Sequence, residues 1–207
     1  MQNITLPFTD DIIRSLKVGD PVALTGTMVT GRDSVHKWMI DTFIKKTRTP
    51  QGDDLEVLEA IKPLLKGSAI YHCGPVVSGL DTKEYLFVAA GPTTSIREEP
   101  YQGDVMRYFR IQGVVGKGGM GPKTLAACQE VPGVYLHAIG GAASLIAQTV
   151  TRVLEVFKYD FGVPEALWVI EVKDFPAVVT MDAHGNSLHV EIENKSRKVL
   201  EELLASA

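Results

Sequence analysis

The sequence predicts a single domain of the α/β or mixed α+β class with a three-layer core. Its 207 residues are 45% hydrophobic, which is enough to bury a sizeable core in one domain. Short apolar segments alternate irregularly with segments of helical period. We find no internal repeat and no low-complexity tract. Strands and helices that alternate in this way are expected to pack as layers around one core.

The first elements follow from capping residues and periodicity. Thr9 precedes two acidic residues and a short apolar run, the pattern of a capped helix N-terminus. The apolar segment 21–29 then predicts a strand. After it, Val35, Met39 and Phe43 recur at helical spacing, which predicts a helix with Arg32 in its first turn.

The segment 42–63 is interpreted as a possible insertion. It begins with a polar stretch that contains proline and glycine and continues as a short amphipathic run. We expect it to leave the core, and we assign it no chemistry.

The middle of the chain predicts strands that deliver residues to one end of a sheet. Apolar segments 68–73 and 85–90 both run into Gly-Pro, which stops a strand and fixes the exit of the chain. A helical stretch, 101–110, separates them from another apolar segment, "GVV". That segment leads into the loop "GKGGMG" and a helix with Pro122 at its first position.

The last third repeats the same kinds of element. Segment 133–141 is a strand followed by glycines, and 142–150 predicts a buried helix. The segments "LWVIEV" and "AVVTMD" predict two further strands, and the charged segment 190–205 predicts a terminal helix.

Composition excludes several classes of partner and site. The net charge of −4 and a pI near 5.7 give no reason to expect nucleic acid or an anionic membrane as a partner. The N-terminus lacks the basic and apolar regions of a signal peptide, so we expect a soluble, cytoplasmic protein. Cys73 and Cys128 are too few for a disulfide framework or a cluster site, and we expect both to be reduced and buried. We expect no metal ligands on this chain.

The glycine loop permits several interpretations. Gly116, Gly118 and Gly121 have the spacing of a dinucleotide fingerprint, but the next strand ends in glycines and not in the acid that the ribose requires. Pro122 stands where a P-loop has its last glycine, and proline offers no N–H to a phosphate. What remains is a cradle for a carboxylate at a helix N-terminus, with Lys117 beside it. The alternative is a tight turn with a solvated lysine.

Three segments together resemble a known family. "LTGTMVTGRDSVHK", "GPTTSIR" and "VVGKGGMGPKT" are similar, in this order, to the beta subunit of iron-sulfur-dependent hydro-lyases, the class I fumarases and L-tartrate dehydratase. The resemblance covers nearly the whole chain apart from 42–63. It implies a swivelling β/β/α domain and the reversible hydration of fumarate to L-malate. It also implies a [4Fe-4S] cluster held by a separate alpha subunit. Cys73, where relatives commonly have alanine, is a departure outside the motifs.

The resemblance also implies roles for particular residues. Arg32 and Arg97 would clamp substrate carboxylates, because a guanidinium makes paired hydrogen bonds, and Lys117 would add a third positive charge. Thr94 and Gly118 would complete the dicarboxylate site. Thr93 would abstract the proton, if neighbouring cations stabilise its alkoxide.

Each role has a structural alternative. Arg32 could form an ion pair with Asp33, and Thr93 and Thr94 could cap a helix. His36, interpreted as an acid-base or orienting residue, could be a half-exposed helix histidine. The remaining histidines are interpreted as structural: His72 in a packed strand beside Cys73, and His137, His184 and His189 elsewhere.

Three alternative functions remain at this stage. An L-tartrate dehydratase subunit would use the same clamps on a more hydroxylated substrate. A stand-alone anion-binding module would need only part of the residue set. A nucleotide-binding oxidoreductase is supported by the glycine spacing alone.

Overall fold

The computed structural model of the protein describes residues 1–206. The strands in this range are β1 (Gln2–Thr5), β2 (Pro21–Thr30), β3 (Ala69–Tyr71), β4 (Val76–Ser78), β5 (Leu86–Ala89), β6 (Gly113–Gly116), β7 (Val134–His137), β8 (Val150–Phe157) and β9 (Leu167–Met181). The α-helices are α1 (Asp10–Ser15), α2 (Asp33–Met39), α3 (Asp54–Leu65), α4 (Glu99–Phe109), α5 (Pro122–Glu130), α6 (Ala143–Ala147) and α7 (Leu188–Ala205). A π-helical turn extends α2 over Ile40–Ile44, and a 3₁₀ turn over Ser95–Glu98 precedes α4.

The main sheet closes on itself. Its strand order is β1-β2-β3-β6-β7-β9-β8, and β2 also pairs with β9. Five strands pair in parallel with one another, in the order β1, β2, β3, β6 and β7. Strand β9 runs antiparallel to β2, β7 and β8. Strands β2, β3, β6, β7 and β9 therefore form a ring, in which pairing satisfies backbone groups that an open edge would expose. Strands β4 and β5 form a separate antiparallel hairpin.

Two apolar clusters lie on the two faces of this sheet. Helices α2, α3, α4 and α5 contribute to one cluster, and α1, α6 and the β4–β5 hairpin contribute to the other. Strand β9 shows the alternation that separates them: Leu167 and Val169 belong to the helical side, and Trp168 and Ile170 to the other. The predicted mixed α/β class is confirmed.

Strand β9 replaces the two strands that the sequence predicts for its region. The pairing with β2 continues on both sides of the polar residues Lys173 and Asp174, with a register shift opposite Leu24 and Gly26. Asp174 has a positive φ of 54°, and its N–H donates to Thr25 Oγ1 at 3.0 Å. The polar interruption is thus a bulge within one strand and not a loop between two.

The expectation that segment 42–63 leaves the core is wrong. Helix α3 buries Val57, Ile61 and Leu65 in the helical cluster. The carboxylate of Asp54 is fully buried and accepts hydrogen bonds from Trp38 Nε1 at 2.8 Å and Lys158 Nζ at 3.0 Å. The short amphipathic run therefore packs one apolar face against the sheet, as such a helix normally does.

The last two helices differ in how well the sequence predicts them. Helix α6 is shorter than the predicted buried helix, and Leu145 on it is 65% exposed. Helix α7 forms as predicted, with Ser187 Oγ accepting a hydrogen bond from Val190 N, but it contributes no buried residue to the domain. None of the helices in residues 1–206 is long and apolar enough to cross a bilayer.

Candidate functional site

The residues singled out in the sequence meet at one edge of the sheet. Arg32 follows β2 and Lys117 follows β6, so both stand at the carboxyl ends of parallel strands, where α/β sheets commonly bind ligands. Thr93 and Thr94 arrive on the segment between β5 and the 3₁₀ turn. Thr94 forms a β-bridge with Lys117, which joins the two loops. The three segments are separate in the sequence: Arg32 lies 61 residues before Thr93, and Thr94 lies 23 residues before Lys117.

Thr93 is held by the backbone of His72. Its N–H donates to the His72 carbonyl at 2.7 Å, and its Oγ1 donates to the same oxygen at 3.0 Å. The side chain remains partly exposed. Thr94 occupies the residue before the 3₁₀ turn, but its side chain makes no capping hydrogen bond. The helix-cap alternative is therefore wrong for both threonines, and the Thr93 hydroxyl lies at the surface of the site.

The two arginines form ion pairs with carboxylates of the same chain. Arg32 Nη1 lies 3.1 Å from Glu165 Oε1, and its side chain is 21% exposed. Arg97 Nη2 lies 2.7 Å from Asp33 Oδ2, and its side chain is 59% exposed. The sequence alternative that pairs Arg32 with Asp33 is thus wrong, because Asp33 pairs with Arg97. A substrate carboxylate at either guanidinium would have to share it with the internal partner.

The backbone of Lys117, in the first half of the glycine loop, contacts the threonine segment. Lys117 N donates to the Thr93 carbonyl at 3.2 Å, and the Lys117 carbonyl accepts from Ser95 N at 3.0 Å. Gly118 and Gly119 follow with φ of 78° and 81°, the left-handed region that favours glycine. The Lys117 side chain is partly exposed and forms no ion pair within residues 1–206. Its ammonium is therefore available to an anion at the site.

The second half of the loop holds an internal anion. The carboxylate of Glu99 accepts hydrogen bonds from Gly121 N at 2.8 Å, Lys123 N at 2.8 Å and Thr124 Oγ1 at 2.7 Å. These donors are the N-terminus of α5, where a negative charge is favoured. The sequence predicts that this helix N-terminus binds a substrate carboxylate, and that prediction is wrong because the Glu99 carboxylate already occupies it. Only the part of the loop at Lys117 and Gly118 faces the threonines.

Removal of the Glu99 carboxylate is expected to destabilise the domain. Glu99→Ala leaves several donors of the α5 N-terminus without a partner, which should lower the free energy of unfolding by about 2 to 3 kcal/mol. Glu99→Gln keeps one acceptor oxygen and should lose about 1 kcal/mol. Urea unfolding followed by circular dichroism measures both. Glu59→Ala on the exposed side of α3 is the control; equal losses in Glu99→Ala and the control would contradict the capping role.

His36 lies behind Arg32 and has no solvent-exposed surface. Its Nδ1 is 3.0 Å from the Arg32 carbonyl, and its Nε2 is 2.9 Å from Gln102 Oε1. Burial lowers the pKa of this imidazole, although the hydrogen bond to the Arg32 carbonyl acts in the other direction. The alternative of a half-exposed helix histidine is wrong.

The structure adds two buried ionisable groups that sequence reasoning missed. His72 is fully buried, and burial lowers its pKa to about 3. Glu98 is 2% exposed, its Oε2 lies 3.6 Å from His36 Nδ1, and burial raises the pKa of its carboxyl to about 8. The one indication in the sequence that Glu98 lies near the site is its position directly after Arg97. Nothing in the sequence distinguishes His72 from an ordinary residue of a packed strand.

The remaining histidines have ordinary structural contacts. His184 Nε2 lies 2.9 Å from the Arg14 carbonyl, and His189 Nε2 lies 3.0 Å from Thr180 Oγ1. The rings of His137 and His189 are 6.3 Å apart. None of these contacts involves the residues at the sheet edge described above.

The cysteines of this chain do not fit an iron-sulfur cluster. Cys73 and Cys128 are free and buried, as expected, but they belong to the apolar clusters on opposite faces of the sheet. Burial raises the pKa of each thiol to about 12, so neither is a thiolate at neutral pH. Within residues 1–206, no group of three or more His, Cys, Asp or Glu side chains could hold a metal ion. A cluster would need ligands from another chain or domain.

Comparisons with known proteins show which family this chain is similar to. Residues 1–192 match the family described as "Fumarase C-terminus". A "Putative fumarate hydratase class I" of Geobacillus stearothermophilus is 51% identical over 94% of this chain and 34% of its own length. An "L(+)-tartrate dehydratase subunit beta" of Escherichia coli K12 is 37% identical over 91% of this chain and 86% of its own length. The chain thus spans about a third of the first relative (34%) and most of the second (86%).

Proposed function

This chain belongs to the fumarase C-terminus family, and on that premise we propose that it is the beta subunit of a hydro-lyase that interconverts fumarate and L-malate. The observation that carries the proposal is that Arg32, Thr93 and Lys117 lie on segments at the carboxyl edge of the sheet, where Arg97 pairs with Asp33 of α2 and Thr94 forms a β-bridge with Lys117. Three positive groups suit a substrate with two carboxylates, and the two guanidinium groups can each make paired, charge-assisted hydrogen bonds.

Thr93 is the proposed proton acceptor. The elimination of water from malate removes a proton from carbon, and Thr93 is a partly exposed residue next to Thr94, which forms a β-bridge with Lys117. To act as the base, the Thr93 hydroxyl must first release its own proton to solvent, and the ammonium of Lys117 and the guanidinium of Arg97 would stabilise the resulting alkoxide electrostatically. Thr94 and Gly118, both exposed beside Lys117, would complete the binding surface for the second carboxylate.

His36 has an orienting role in this proposal. Its complete burial keeps it from contact with a substrate on the surface of this chain. Its contact with the Arg32 carbonyl instead fixes the start of α2, from which the Arg32 side chain reaches the site. Of the two roles that the sequence leaves open, acid-base and orienting, burial favours the second.

The cluster of the enzyme would come from a partner. The family resemblance implies an iron-sulfur enzyme, and a relative named as a beta subunit implies an alpha subunit. The Geobacillus relative is much longer than the part that this chain matches, 34% of its length, which leaves room for such a unit in the same polypeptide. We therefore propose a cytoplasmic enzyme whose alpha subunit holds a [4Fe-4S] cluster and whose active site lies between the subunits.

The alternative substrate is L-tartrate. The comparison that favours it is the match over 86% of an L(+)-tartrate dehydratase beta subunit, a chain of similar length. The higher identity of 51% favours fumarate hydratase. A non-catalytic anion-binding module remains as a further alternative, although a binder has no need of Thr93 in addition to the cations.

Reconstitution of the two subunits tests the proposal. The chain is co-expressed with a cysteine-rich alpha subunit, the cluster is rebuilt without oxygen, and malate, fumarate and tartrate are assayed. We expect turnover of fumarate and malate by the pair and none by either subunit alone. Preferred turnover of tartrate would favour the alternative substrate. Full activity of this chain alone, without a cluster, would contradict the shared site.

A further inference from the structure

Two buried imidazoles flank one glutamine amide beneath the site. Gln102 Oε1 lies 2.9 Å from His36 Nε2 and 2.8 Å from His72 Nε2, and all three side chains are fully buried. The two rings meet edge to face, with centroids 5.2 Å apart. The term His36–Gln102–His72 bridge denotes these three side chains below.

Proton accounting decides which end of the amide faces the rings. His36 Nδ1 contacts the Arg32 carbonyl, which accepts only, so this nitrogen must carry a proton. If Gln102 Oε1 faced both rings, His36 would need a second proton on Nε2 and would be a charged imidazolium, which its complete burial disfavours. The opposite amide orientation has the same shape and lets the two N–H groups of Gln102 donate to the two Nε2 atoms. Both imidazoles are then neutral and protonated on Nδ1.

The same orientation gives the second ring nitrogen of His72, Nδ1, a hydrogen-bond acceptor. Its Nδ1 lies 2.8 Å from Ser95 Oγ, which also accepts a hydrogen bond from the Tyr135 hydroxyl at 2.9 Å. Ser95 N in turn donates to the Lys117 carbonyl. A proton on His72 Nδ1 can therefore donate to Ser95.

The bridge touches the backbone of several segments that form the site. On one side His36 donates to the carbonyl of Arg32. On the other, the carbonyl of His72 accepts both hydrogen bonds that hold Thr93. The glutamine is on α4, a helix that contributes none of the proposed substrate contacts. The pairing of β2 with β3 joins the backbones just before Arg32 and His72, with Gly31 N donating to the Tyr71 carbonyl at 2.9 Å. Beyond that pairing, the buried amide of Gln102 links the side chains that hold the Arg32 carbonyl and precede the Thr93 contact.

We propose that Gln102 is a positioning residue that, by donating to both His36 and His72, holds Arg32 and Thr93 at the separation that the reaction requires. The role rests on the proposed hydro-lyase function, but the hydrogen-bond pattern of the bridge does not. Neither a carboxylate nor an apolar side chain of similar length can reproduce it, because each lacks the two donors on one atom.

The tautomers of the imidazoles test the pattern directly in the isolated chain. Long-range ¹⁵N–¹H correlation spectra at pH 7 should show His36 and His72 with a protonated Nδ1 and an unprotonated Nε2. In Gln102→Glu, the carboxylate can only accept, so His36 should acquire a second proton and give the signature of an imidazolium. Protonated Nε2 atoms on both rings in the wild-type chain would overturn the proposal.

Kinetics of the reconstituted enzyme test the positioning role. Gln102→Met fills a similar volume without donors and should lower kcat by at least about tenfold, because displaced reacting groups lose up to about 10²-fold in rate. The change should fall on kcat more than on KM, since Arg97 and Lys117 are not attached to the bridge by their side chains. Gln129→Met, exposed on α5, is the matched control and should keep the wild-type kcat.

The outcomes separate the two proposals. If the wild-type pair is active and Gln102→Met keeps its full kcat while it remains folded by circular dichroism, the positioning role is wrong. If the wild-type pair shows no hydro-lyase activity, the proposed function fails, and the tautomer spectra alone decide whether Gln102 donates to both rings. If Gln102→Met does not fold, Gln102→Glu supplies the kinetic comparison, with the same fall in kcat expected.

Discussion

Thr93→Val is expected to lower kcat of the reconstituted enzyme by about 10³-fold, because a general base contributes about 10²- to 10⁴-fold and valine keeps the shape of threonine without the hydroxyl. The fold should survive. The His72 carbonyl that loses the Thr93 hydroxyl still accepts the Thr93 N–H at 2.7 Å, so no buried group is left unpaired. We expect a loss of about 1 kcal/mol in the free energy of unfolding.

The measurement is single-turnover or steady-state hydration of fumarate, with thermal unfolding as the check on the fold. Thr151→Val is the control, since this exposed threonine on β8 makes one hydrogen bond to the Glu171 carbonyl and lies outside the proposed site. A Thr93→Val enzyme with wild-type kcat would assign the proton transfer to another group.

Arg97→Ala is expected to lower kcat/KM by about 10²-fold with little change in stability. The ion pair with Asp33 is more than half exposed on the arginine side, at 59%, and such pairs contribute about 0 to 1 kcal/mol to folding. A charge-assisted contact with a substrate carboxylate in a closed site contributes about 2 to 3 kcal/mol. We therefore expect the loss of the Arg97 guanidinium to affect kcat/KM much more than the free energy of unfolding.

Two variants sharpen this test. Arg97→Lys keeps the charge but not the paired hydrogen bonds, so it should restore only part of kcat/KM. Arg197→Ala is the matched control, because Arg197 on α7 also forms an exposed ion pair, with Glu193 at 2.9 Å. Lys117→Ala should behave like Arg97→Ala. Unchanged kcat/KM in both Arg97→Ala and Lys117→Ala would remove these residues from the site.

The ion pairs of the arginines have a consequence for binding. Arg32 and Arg97 each form an ion pair with a carboxylate of the same chain, so both guanidinium groups already have an anionic partner in the absence of substrate. A guanidinium has five N–H donors and can contact two carboxylates at once. In the proposed function, Glu165 and Asp33 would hold the two guanidinium groups in place and leave donors free for the substrate.

The fold class, most of the helices and strands, and the candidate site residues are predictable from the amino-acid sequence alone. Local signals were sufficient for these: Thr9 before α1, helical spacing for α2, Gly-Pro at the ends of strands and Pro122 at the start of α5. The three motif segments carried the resemblance to the family that the comparisons then showed.

The tertiary structure decided which groups those residues contact. Glu165 pairs with Arg32, Glu99 caps α5, and Gln102 joins two histidines, and each contact links residues that are remote in sequence. The continuity of β9 and the packing of α3 depend in the same way on partners elsewhere in the chain. Local periodicity reports which face of an element is apolar, but it carries no information about which distant side chain meets that face. Those contacts exist only once the sheet closes and brings the carboxyl ends of β2, β3 and β6 to one edge.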